Sequence, residues 1–329
     1  MDHILAYTDD AKSLTGHLNA LMFYDRGTQW IESFPTKTLG ATEVYNLINA
    51  FEAPKEAIEY AYCDDSAAIK KALKMHRIQY DTSTPGQPKT NGIAERYVQE
   101  VINGTRALLS NAGLPASFWP YAMRAWCFGH NTSESGLRSS PWKQRHGKKF
   151  EGPRIPFGSL VYFKQSPVKE GNKATMGTRR LKSKFMEQTS IGIFLGYKLK
   201  CGGKWKNEYL VCDLRDLASQ DFGRGARNST KSMHIQTVRN ISINLYRCFP
   251  CRAEYDKANQ TLEGINRSIA AYKSVNGTLV EQTNPHSFLK RVFARDKEFV
   301  LRPEEGDICE EEVDDEAKLE QSNRHTDEV

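Results

Sequence analysis

Three carboxylic side chains stand where metal-dependent phosphate chemistry would need them. Asp2 begins a strand-like run, Asp64 follows another, and Glu95 lies near the start of a long helical pattern. Hard divalent cations prefer oxygen ligands and keep several waters, so a few carboxylates around an open cleft suit a metal that also binds phosphate. Two such metals activate an attacking oxygen and stabilise the leaving oxygen at phosphorus. These residues therefore form a candidate site for cutting and joining a phosphodiester, with Mg²⁺ or Mn²⁺ as cofactor.

Each carboxylate also has a structural explanation. Asp64 is followed by Asp65 and Ser66 ahead of a helix, so it is a candidate helix cap. Glu95 in a first helical turn complements the helix dipole. For the first acidic position, Asp9 and Asp10 are alternatives to Asp2, although both fall in a predicted turn. Local pattern alone leaves these alternatives open.

The elements that would position the carboxylates alternate between strand and helix patterns, which indicates an α/β domain. The first three predicted strands are joined by short connections and form an antiparallel meander. A segment rich in Pro and Gly then precedes a long helix that ends at Gly113, and Pro115 starts another. The predicted strands are 2–7, 18–24, 29–34, 58–63 and 78–82, and the predicted helices are 41–51, 66–76 and 92–112.

The long helix has one apolar stripe and one polar face. The stripe contains Val98, Val101, Ile102, Thr105, Leu108 and Leu109. Polar side chains on the other face lie within three turns of Glu95, where they are placed to contact a DNA backbone, although an ordinary solvated face explains them equally well. The candidate DNA-binding residues are Gln99, Asn103 and Arg106 on this helix, Lys89 and Asn91 before it, and the downstream residues Arg179, Arg180, Lys182 and Lys184.

Composition narrows the class of protein. The chain has 329 residues, 39% of them hydrophobic, which is enough for one or two real cores. The formal charge of +6 is unevenly distributed, because residues 138–206 are strongly basic and residues 304–329 are acidic. The basic region is a candidate polyanion-binding surface, with a solvated loop region as the alternative.

The absence of targeting segments and the scattered cysteines both predict an intracellular protein. The sequence contains no apolar run long enough to span a membrane and no secretion signal, so we expect an intracellular protein. Seven scattered cysteines indicate reduced thiols rather than a disulfide framework. Cys248 and Cys251 have metal-ligand spacing but lack the second ligand pair that a zinc site requires.

Several segments resemble retroviral and retrotransposon integrases of the copia and gypsy types. Residues 82–96, which end in Asn-Gly-Ile-Ala-Glu-Arg, closely resemble the stretch before that family's active-site helix, and Tyr62-Cys-Asp-Asp65 resembles its fourth strand. Residues 21–28 with Trp30 are similar to its second and third strands, with Asp25 at the turn rather than in the metal site. The segments that continue the resemblance to about residue 215 include Gly113-Leu-Pro, Phe118-Trp119, Asn131, Pro156-Phe-Gly158, residues 193–197 and Tyr209.

The resemblance implies a ribonuclease H-like core, with a five-stranded mixed sheet flanked by helices, followed by a small β-rich domain. It implies DNA 3′-end processing and strand transfer with Asp2, Asp64 and Glu95 as catalytic metal ligands. The expected partners are retroelement ends and target DNA, the expected assembly is a homo-oligomer without a membrane, and the expected place of action is the nucleus.

Domain boundaries follow from these patterns. We expect the catalytic core in residues 1–132, a basic linker in 133–155, a small β-rich DNA-binding domain in 156–247 and a weakly structured acidic tail in 248–329. The zinc-binding domain that precedes the core in the family is missing, which predicts a truncated piece of a longer polyprotein. The main alternative is therefore a catalytically inactive or domesticated nucleic-acid-binding remnant; a transposase of bacterial insertion-sequence type is a third.

Overall fold

The structure of the chain is a computed structural model that describes residues 1–5, 12–52, 57–84, 92–134, 139–164, 189–218, 220, 222, 233–243 and 248–259. All of these belong to one compact unit, Met1–Pro285. A second unit, His286–Val329, lies outside the described residues.

Five short strands in the first part of the chain carry the carboxylates. β1, β2 and β3 pair antiparallel in sequence order, and β4 pairs parallel with β5. Met1 connects the two groups, because its amine donates to the Tyr62 carbonyl at 2.7 Å and its carbonyl accepts from the Asp64 N–H at 3.4 Å. This is the hydrogen-bond pattern of a parallel bridge between Met1 and Cys63. The strands are β1 (Asp2–Leu5), β2 (Asn19–Tyr24), β3 (Ile31–Thr36), β4 (Tyr60–Cys63) and β5 (Gln79–Thr82).

The resulting strand order is β3-β2-β1-β4-β5, with β1 and β4 parallel. This is the five-stranded mixed sheet that the sequence predicts. The strands are shorter than predicted or shifted by one or two residues, and the end of the first predicted strand lies outside the described residues.

Helices cover both faces of this sheet. Leu21, Phe23 and Cys63 point into a core closed by α1 (Ala41–Phe51) and α2 (Ala67–His76). The alternate residues of β2, Ala20 and Met22, face a second cluster that contains side chains of α3 (Gly92–Ala112) and α4 (Trp119–Thr132). The two-residue alternation of strands therefore gives this sheet one α1/α2 face and one α3/α4 face.

Helical periodicity explains the helices. Val44, Ile48 and Phe51 bury one side of α1, and Val101, Thr105 and Leu109 bury one side of α3. Both helices have the bounds predicted from sequence. After α3, Gly113 adopts φ +66°, and a Cβ atom there would lie 2.4 Å from the Arg252 Cα, so both the turn and the close approach require glycine.

One side chain of α4 binds the backbone of β3. The Asn131 Oδ1 accepts from the Ile31 N–H at 2.9 Å, and its Nδ2 donates to the Ile31 carbonyl at 2.7 Å. Asn131 is buried, with 1% of its surface exposed. The amide therefore completes the hydrogen bonding of a residue at the outer strand of the sheet.

The second sheet is antiparallel, in the order β10-β6-β7-β8-β9. A long hairpin of β7 and β8 dominates it, and Gly203 in the hairpin turn lies against the Trp30 ring of the first region. A β-rich second region is as predicted, although β9 and β10 were not anticipated. The strands are β6 (Leu160–Lys164), β7 (Thr189–Lys200), β8 (Lys204–Asp213), β9 (Ile235–Val238) and β10 (Ile241–Ile243), and α6 (Leu214–Leu217) follows β8.

The segment predicted as a linker contributes to the core. It contains α5 (Pro141–His146), which begins at Ser140, whose side chain accepts from the Lys143 N–H. Trp142 is buried between Trp30 and Phe128, at centroid distances of 5.8 Å from each. Apolar burial of this tryptophan explains why α5 forms despite its polar, basic composition.

The beginning of the predicted tail is also helical. Helix α7 (Arg252–Asn259) packs at the end of α3, where the Arg252 guanidinium donates to the Ser110 carbonyl. Residues 260–329 lie outside the described residues.

Candidate active site

Two of the predicted carboxylates are neighbours in the sheet. The parallel bridge between Met1 and Cys63 places the next residues, Asp2 and Asp64, opposite each other on adjacent segments of the sheet. Because adjacent strands lie about 4.8 Å apart, the backbones of these two residues are immediate neighbours across the sheet. The Asp2 Oδ1 accepts from the His3 N–H at 2.8 Å.

Both aspartates face the helix that carries Glu95. Asp2 pairs with Met22 in the antiparallel ladder, and Met22 belongs to the cluster that contains Val101 of α3. Cys63 points into the opposite core, so Asp64, the next residue, projects toward the α3 side. The first two carboxylates and α3 therefore share one side of the sheet.

Two hydrogen bonds hold the Asp64 side chain, but this side chain does not cap helix α2. Its Oδ1 accepts from the Asp65 N–H at 2.8 Å and from the Ser83 hydroxyl at 3.3 Å. Helix α2 has Ser66 as its N-cap residue and no side-chain capping bond, while Asp65 pairs with Lys70 at 2.5 Å. Asp64 is exposed, so its carboxylate is accessible for binding.

The Met1 amine is a positive group beside both aspartates. Burial lowers its pKa, whereas Cys63, Asp2 and Asp64 act in the opposite direction by favouring the charged form. His3 points toward the other face, and burial lowers its pKa against the opposing effect of Asp64. Within the described residues, neither ring nitrogen of His3 has a hydrogen-bond partner.

Glu95 lies in the first turn of α3 and is exposed. The helix packs against β1 and β2, which brings its axis over the side of the sheet that carries the aspartates. Among the described residues, however, no three His, Cys, Asp or Glu side chains are grouped closely enough to hold a metal ion. The structure thus brings Asp2 and Asp64 together and leaves Glu95 at the helix end as a separate carboxylate.

The donor set nevertheless suits a hard cation. Asp2, Asp64 and Glu95 offer only carboxylate oxygens, which Mg²⁺ and Mn²⁺ prefer over the nitrogen and sulfur ligands typical of zinc. The two aspartates would hold such an ion from the sheet, and Glu95 would supply a ligand from the helix.

The predicted DNA-binding residues divide into two groups. Gln99, Asn103 and Arg106 are exposed on α3, and the Arg106 guanidinium donates to the Asn103 Oδ1 at 3.5 Å. The other predicted contacts, and the alternative carboxylates, lie outside the described residues: Lys89, Asn91, Arg179, Arg180, Lys182 and Lys184, and Asp9 and Asp10.

A tyrosine pair near Glu95 was not anticipated from sequence. The Tyr24 and Tyr97 rings stack at a centroid distance of 3.8 Å, and the Tyr24 hydroxyl donates to the Tyr97 hydroxyl at 2.8 Å. Tyr97 is four residues before Val101, so extending the apolar stripe of α3 by one turn would have indicated that it packs on the sheet.

No protein-family profile matches the chain. The sequence is similar to several polyproteins, among them three from plants. The chain is 38% identical over 70 residues to the retrovirus-related Pol polyprotein from transposon TNT 1-94 of Nicotiana tabacum, covering 21% of this chain and 5% of that protein. It is 27% identical over 162 residues to the Pol polyprotein from transposon RE2 of Arabidopsis thaliana, covering 46% of this chain and 11% of that protein. It is 36% identical over 136 residues to the Pol polyprotein from transposon RE1 of the same plant, covering 40% of this chain and 8% of that protein.

Two solved structures align weakly. The catalytic core domain of BIV integrase aligns with a TM-score of 0.32 and 14% identity, over 40% of this chain and 86% of that one. A chain of the simian T-cell lymphotropic virus intasome, solved with the PP2A regulatory subunit B56 gamma, aligns with a TM-score of 0.36 and 14% identity. The alignment covers 64% of this chain and 70% of that one.

None of the described helices is both long and apolar enough to cross a membrane. The chain spans only 5 to 11% of the length of the curated relatives it matches. Part of the chain is therefore similar in sequence to segments of retrotransposon Pol polyproteins.

Proposed function

We propose that this chain is a retroelement integrase core with a DNA-binding second region, which processes DNA 3′ ends and transfers them to a target strand. The observation that carries the proposal is the juxtaposition of Asp2 and Asp64 on the side of the sheet where α3 presents Glu95. β1, the end of β4 and helix α3 supply the three carboxylates, and the segments around Asp64 and Glu95 are among those that resemble integrases.

The chemistry is displacement at phosphorus. Bound Mg²⁺ or Mn²⁺ would lower the barrier by activating the attacking oxygen and stabilising the leaving oxygen. Asp2, Asp64 and Glu95 would hold the cation and orient the scissile phosphate between sheet and helix. The Ser83 hydroxyl donates to Asp64, which restricts the rotation of that carboxylate.

Glu95 would move toward the aspartates when the site is occupied. Gly92 and the side chains of Ile93, Glu95 and Arg96 are exposed, so the first turn of α3 has few packed contacts that oppose such a displacement. Bound DNA would favour the closed arrangement, because phosphate and cation attract each other and the carboxylates together.

Polar residues along α3 would contact the DNA backbone. Gln99, Asn103 and Arg106 extend from the site along one exposed helix face. Phosphate contacts position the duplex but do not read its sequence. Lys89, Asn91, Arg179, Arg180, Lys182 and Lys184 would add contacts of the same kind. Because neutralised phosphates release counterions, affinity is expected to fall steeply with salt.

The decisive experiment compares Glu95→Gln with Glu100→Gln in the full chain. Glu100 lies farther along the same helix and pairs with Arg96 at 3.1 Å, so it is a matched control for loss of one negative charge on α3. Glu95→Gln is expected to abolish Mg²⁺- or Mn²⁺-dependent strand transfer on oligonucleotide substrates while leaving DNA affinity within about twofold, because only a metal ligand is removed. Glu100→Gln is expected to keep activity.

Full activity of Glu95→Gln would exclude Glu95 as a ligand and would overturn the proposed site. Asp64→Asn is expected to behave like Glu95→Gln, since both substitutions retain shape and remove a carboxylate. Thermal unfolding of each variant distinguishes loss of chemistry from loss of fold.

A nucleic-acid-binding remnant without catalysis is the second candidate. The absence of a three-carboxylate group among the described residues favours it. In a titration with Mg²⁺ and Mn²⁺, the remnant would bind oligonucleotide without cleaving it at any concentration of either ion, whereas the integrase would show metal-dependent cleavage.

Assembly and location follow from the proposed reaction. Joining two DNA ends to one target needs two active sites, so we expect a homo-oligomer on retroelement ends and target DNA. A chromosomal target would place the reaction in the nucleus.

A further inference from the structure

We propose that Tyr24 and Tyr97 form a positioning pair that sets the distance between Glu95 and the two aspartates. This inference rests on the proposed function, because it assigns the pair a role in the same carboxylate site. Neither tyrosine contacts the reacting atoms in this proposal; the pair acts through the helix that carries Glu95.

The pair joins β2 and α3, whose separation sets the distance between Asp2 and Glu95. Tyr24 ends β2 and lies two residues beyond Met22, the partner of Asp2, so strand alternation puts Tyr24 and Asp2 on the same face. Tyr97 lies two residues after Glu95 on α3. One tyrosine is therefore fixed to the strand beside Asp2, and the other is fixed to the helix turn of Glu95.

The contact is specific in both ring geometry and hydrogen bonding. The rings are inclined by only 26° at a 3.8 Å centroid distance, and their hydroxyls are 2.8 Å apart. Burial and the bond to Tyr97 both raise the pKa of Tyr24, so its hydroxyl remains protonated and able to donate at neutral pH. Stacked rings whose hydroxyls are also hydrogen-bonded to each other allow little sliding of α3 over β2.

The pair is also close to the start of the packed part of α3. Gly92 and the side chains of Ile93, Glu95 and Arg96 are exposed, whereas Tyr97 and the following Val98 pack against the second core cluster. Within the described part of the helix, Tyr97 is thus the first large side chain anchored on the sheet. Any approach of Glu95 to Asp64 has to pivot about this anchor.

Removing single hydroxyls tests the pair without removing its rings. The variants are Tyr24→Phe, which deletes the donor, and Tyr97→Phe, which deletes the acceptor. Tyr45→Phe is the matched control, because Tyr45 stacks on His76 at 4.0 Å and packs against the core on the α1/α2 side of the sheet. Each full-length variant is titrated with Mn²⁺ in the presence of a DNA oligonucleotide, and unbound Mn²⁺ is measured by electron paramagnetic resonance.

We expect Tyr24→Phe and Tyr97→Phe each to weaken Mn²⁺ binding by about three- to tenfold, the effect of one net hydrogen bond. The metal concentration for half-maximal strand transfer should rise by the same factor, while Tyr45→Phe leaves both unchanged. A purely structural role would lower the unfolding temperature without changing Mn²⁺ binding, and that result would overturn the positioning role.

Glu95→Gln, titrated in parallel, separates this inference from the proposed function. If Glu95→Gln weakens Mn²⁺ binding and the two phenylalanine variants do not, only the positioning role is wrong. If the unmodified chain binds no Mn²⁺, or Glu95→Gln binds it normally, the proposed function fails and the inference fails with it.

Discussion

Asp25 and Asp64 each directly follow a strand, but their hydrogen bonds differ. The two oxygens of Asp25 accept from groups in its own turn, the Gly27 N–H at 2.9 Å and the Thr28 hydroxyl at 2.5 Å. Both bonds to Asp64 use the same oxygen, Oδ1. Asp25 therefore stabilises a turn, as the sequence predicted, whereas the arrangement at Asp64 is compatible with binding a cation.

Strand register determines how two of the three predicted site residues lie relative to each other. Asp2 and Asp64 lie opposite one another because the parallel bridge fixes the register between their two strands. The distance to Glu95 was not predictable, because it depends on how α3 packs over the sheet and on contacts such as the Tyr24–Tyr97 pair. Motif spacing contains no information on that packing.

His146 makes the stability of the protein pH-dependent. Burial, followed by the charges of Arg145, Lys204 and Lys148, lowers its pKa to about 4. The folded state therefore favours neutral His146, while the unfolded chain binds a proton near the ordinary value of about 6.5. Its contribution to stability is present above about pH 6.5 and is lost as the pH falls toward 4.

His146→Phe should reduce this acid sensitivity. Phenylalanine keeps a ring between Trp30 and Trp142, which lie 5.3 and 4.5 Å from the imidazole, and it cannot bind a proton. Urea unfolding at pH 7 and at pH 4.5 is expected to show a smaller loss of unfolding free energy in the variant than in the unmodified chain. An equal loss in both would show that other groups cause the pH dependence.

At the scale of elements, long periodic helices were predicted well and short elements were not. The bounds of α1 and α3 agree with the prediction because each has a continuous apolar stripe and a defined end. Helix α5 has six residues in a polar, basic context, and β9 and β10 have four and three. Such segments acquire their structure from tertiary contacts, for example the burial of Trp142, rather than from local periodicity.

The contact between α3 and α4 depends on a missing side chain. A Cβ atom at Gly104 would lie 1.9 Å from the Trp126 Nε1, so Gly104→Ala forces the indole or the helices to move. We expect a loss of about 1–3 kcal/mol of unfolding free energy, measured by urea titration, because overpacking outweighs the gain in helix propensity.

Gly129→Ala in α4 is the control, because a Cβ atom there has nothing within 4 Å. That substitution should stabilise the protein by about 0.5–1 kcal/mol, since alanine is the better helix former. Equal effects of the two substitutions would contradict the packing explanation.

At the scale of the molecule, the described regions share one hydrophobic core. Phe128 of α4 stacks on Tyr197 of β7 at 3.8 Å, and Phe150, from the predicted linker, contacts both Trp142 and Trp205. The sequence predicted the order of the regions and the β-rich character of the second. It did not predict this aromatic contact, because aromatic residues far apart in sequence give no periodic signal.

We therefore expect the two regions to unfold together. Trp142→Ala removes a buried indole from the shared core and should lower the unfolding free energy by about 3–5 kcal/mol. Hydrogen exchange should show equal loss of protection in β4 and in β8. Protection that is lost in only one region would indicate independent domains, as the sequence-based boundaries imply.

Met75→Ala serves as the control for that experiment. Met75 is a large apolar side chain on α2 with 51% of its surface exposed. Its removal should change the unfolding free energy by no more than about 0.5 kcal/mol.

The Asn131 amide on β3 has a consequence for contacts between molecules. An outer strand with unpaired backbone groups can recruit a strand from another copy and so begin aggregation. On β3, Asn131 already occupies both polar groups of Ile31, and Pro35 has no N–H to offer. Continuous strand addition at the β3 edge is therefore blocked at two points, so contacts between copies at this edge would have to use side chains.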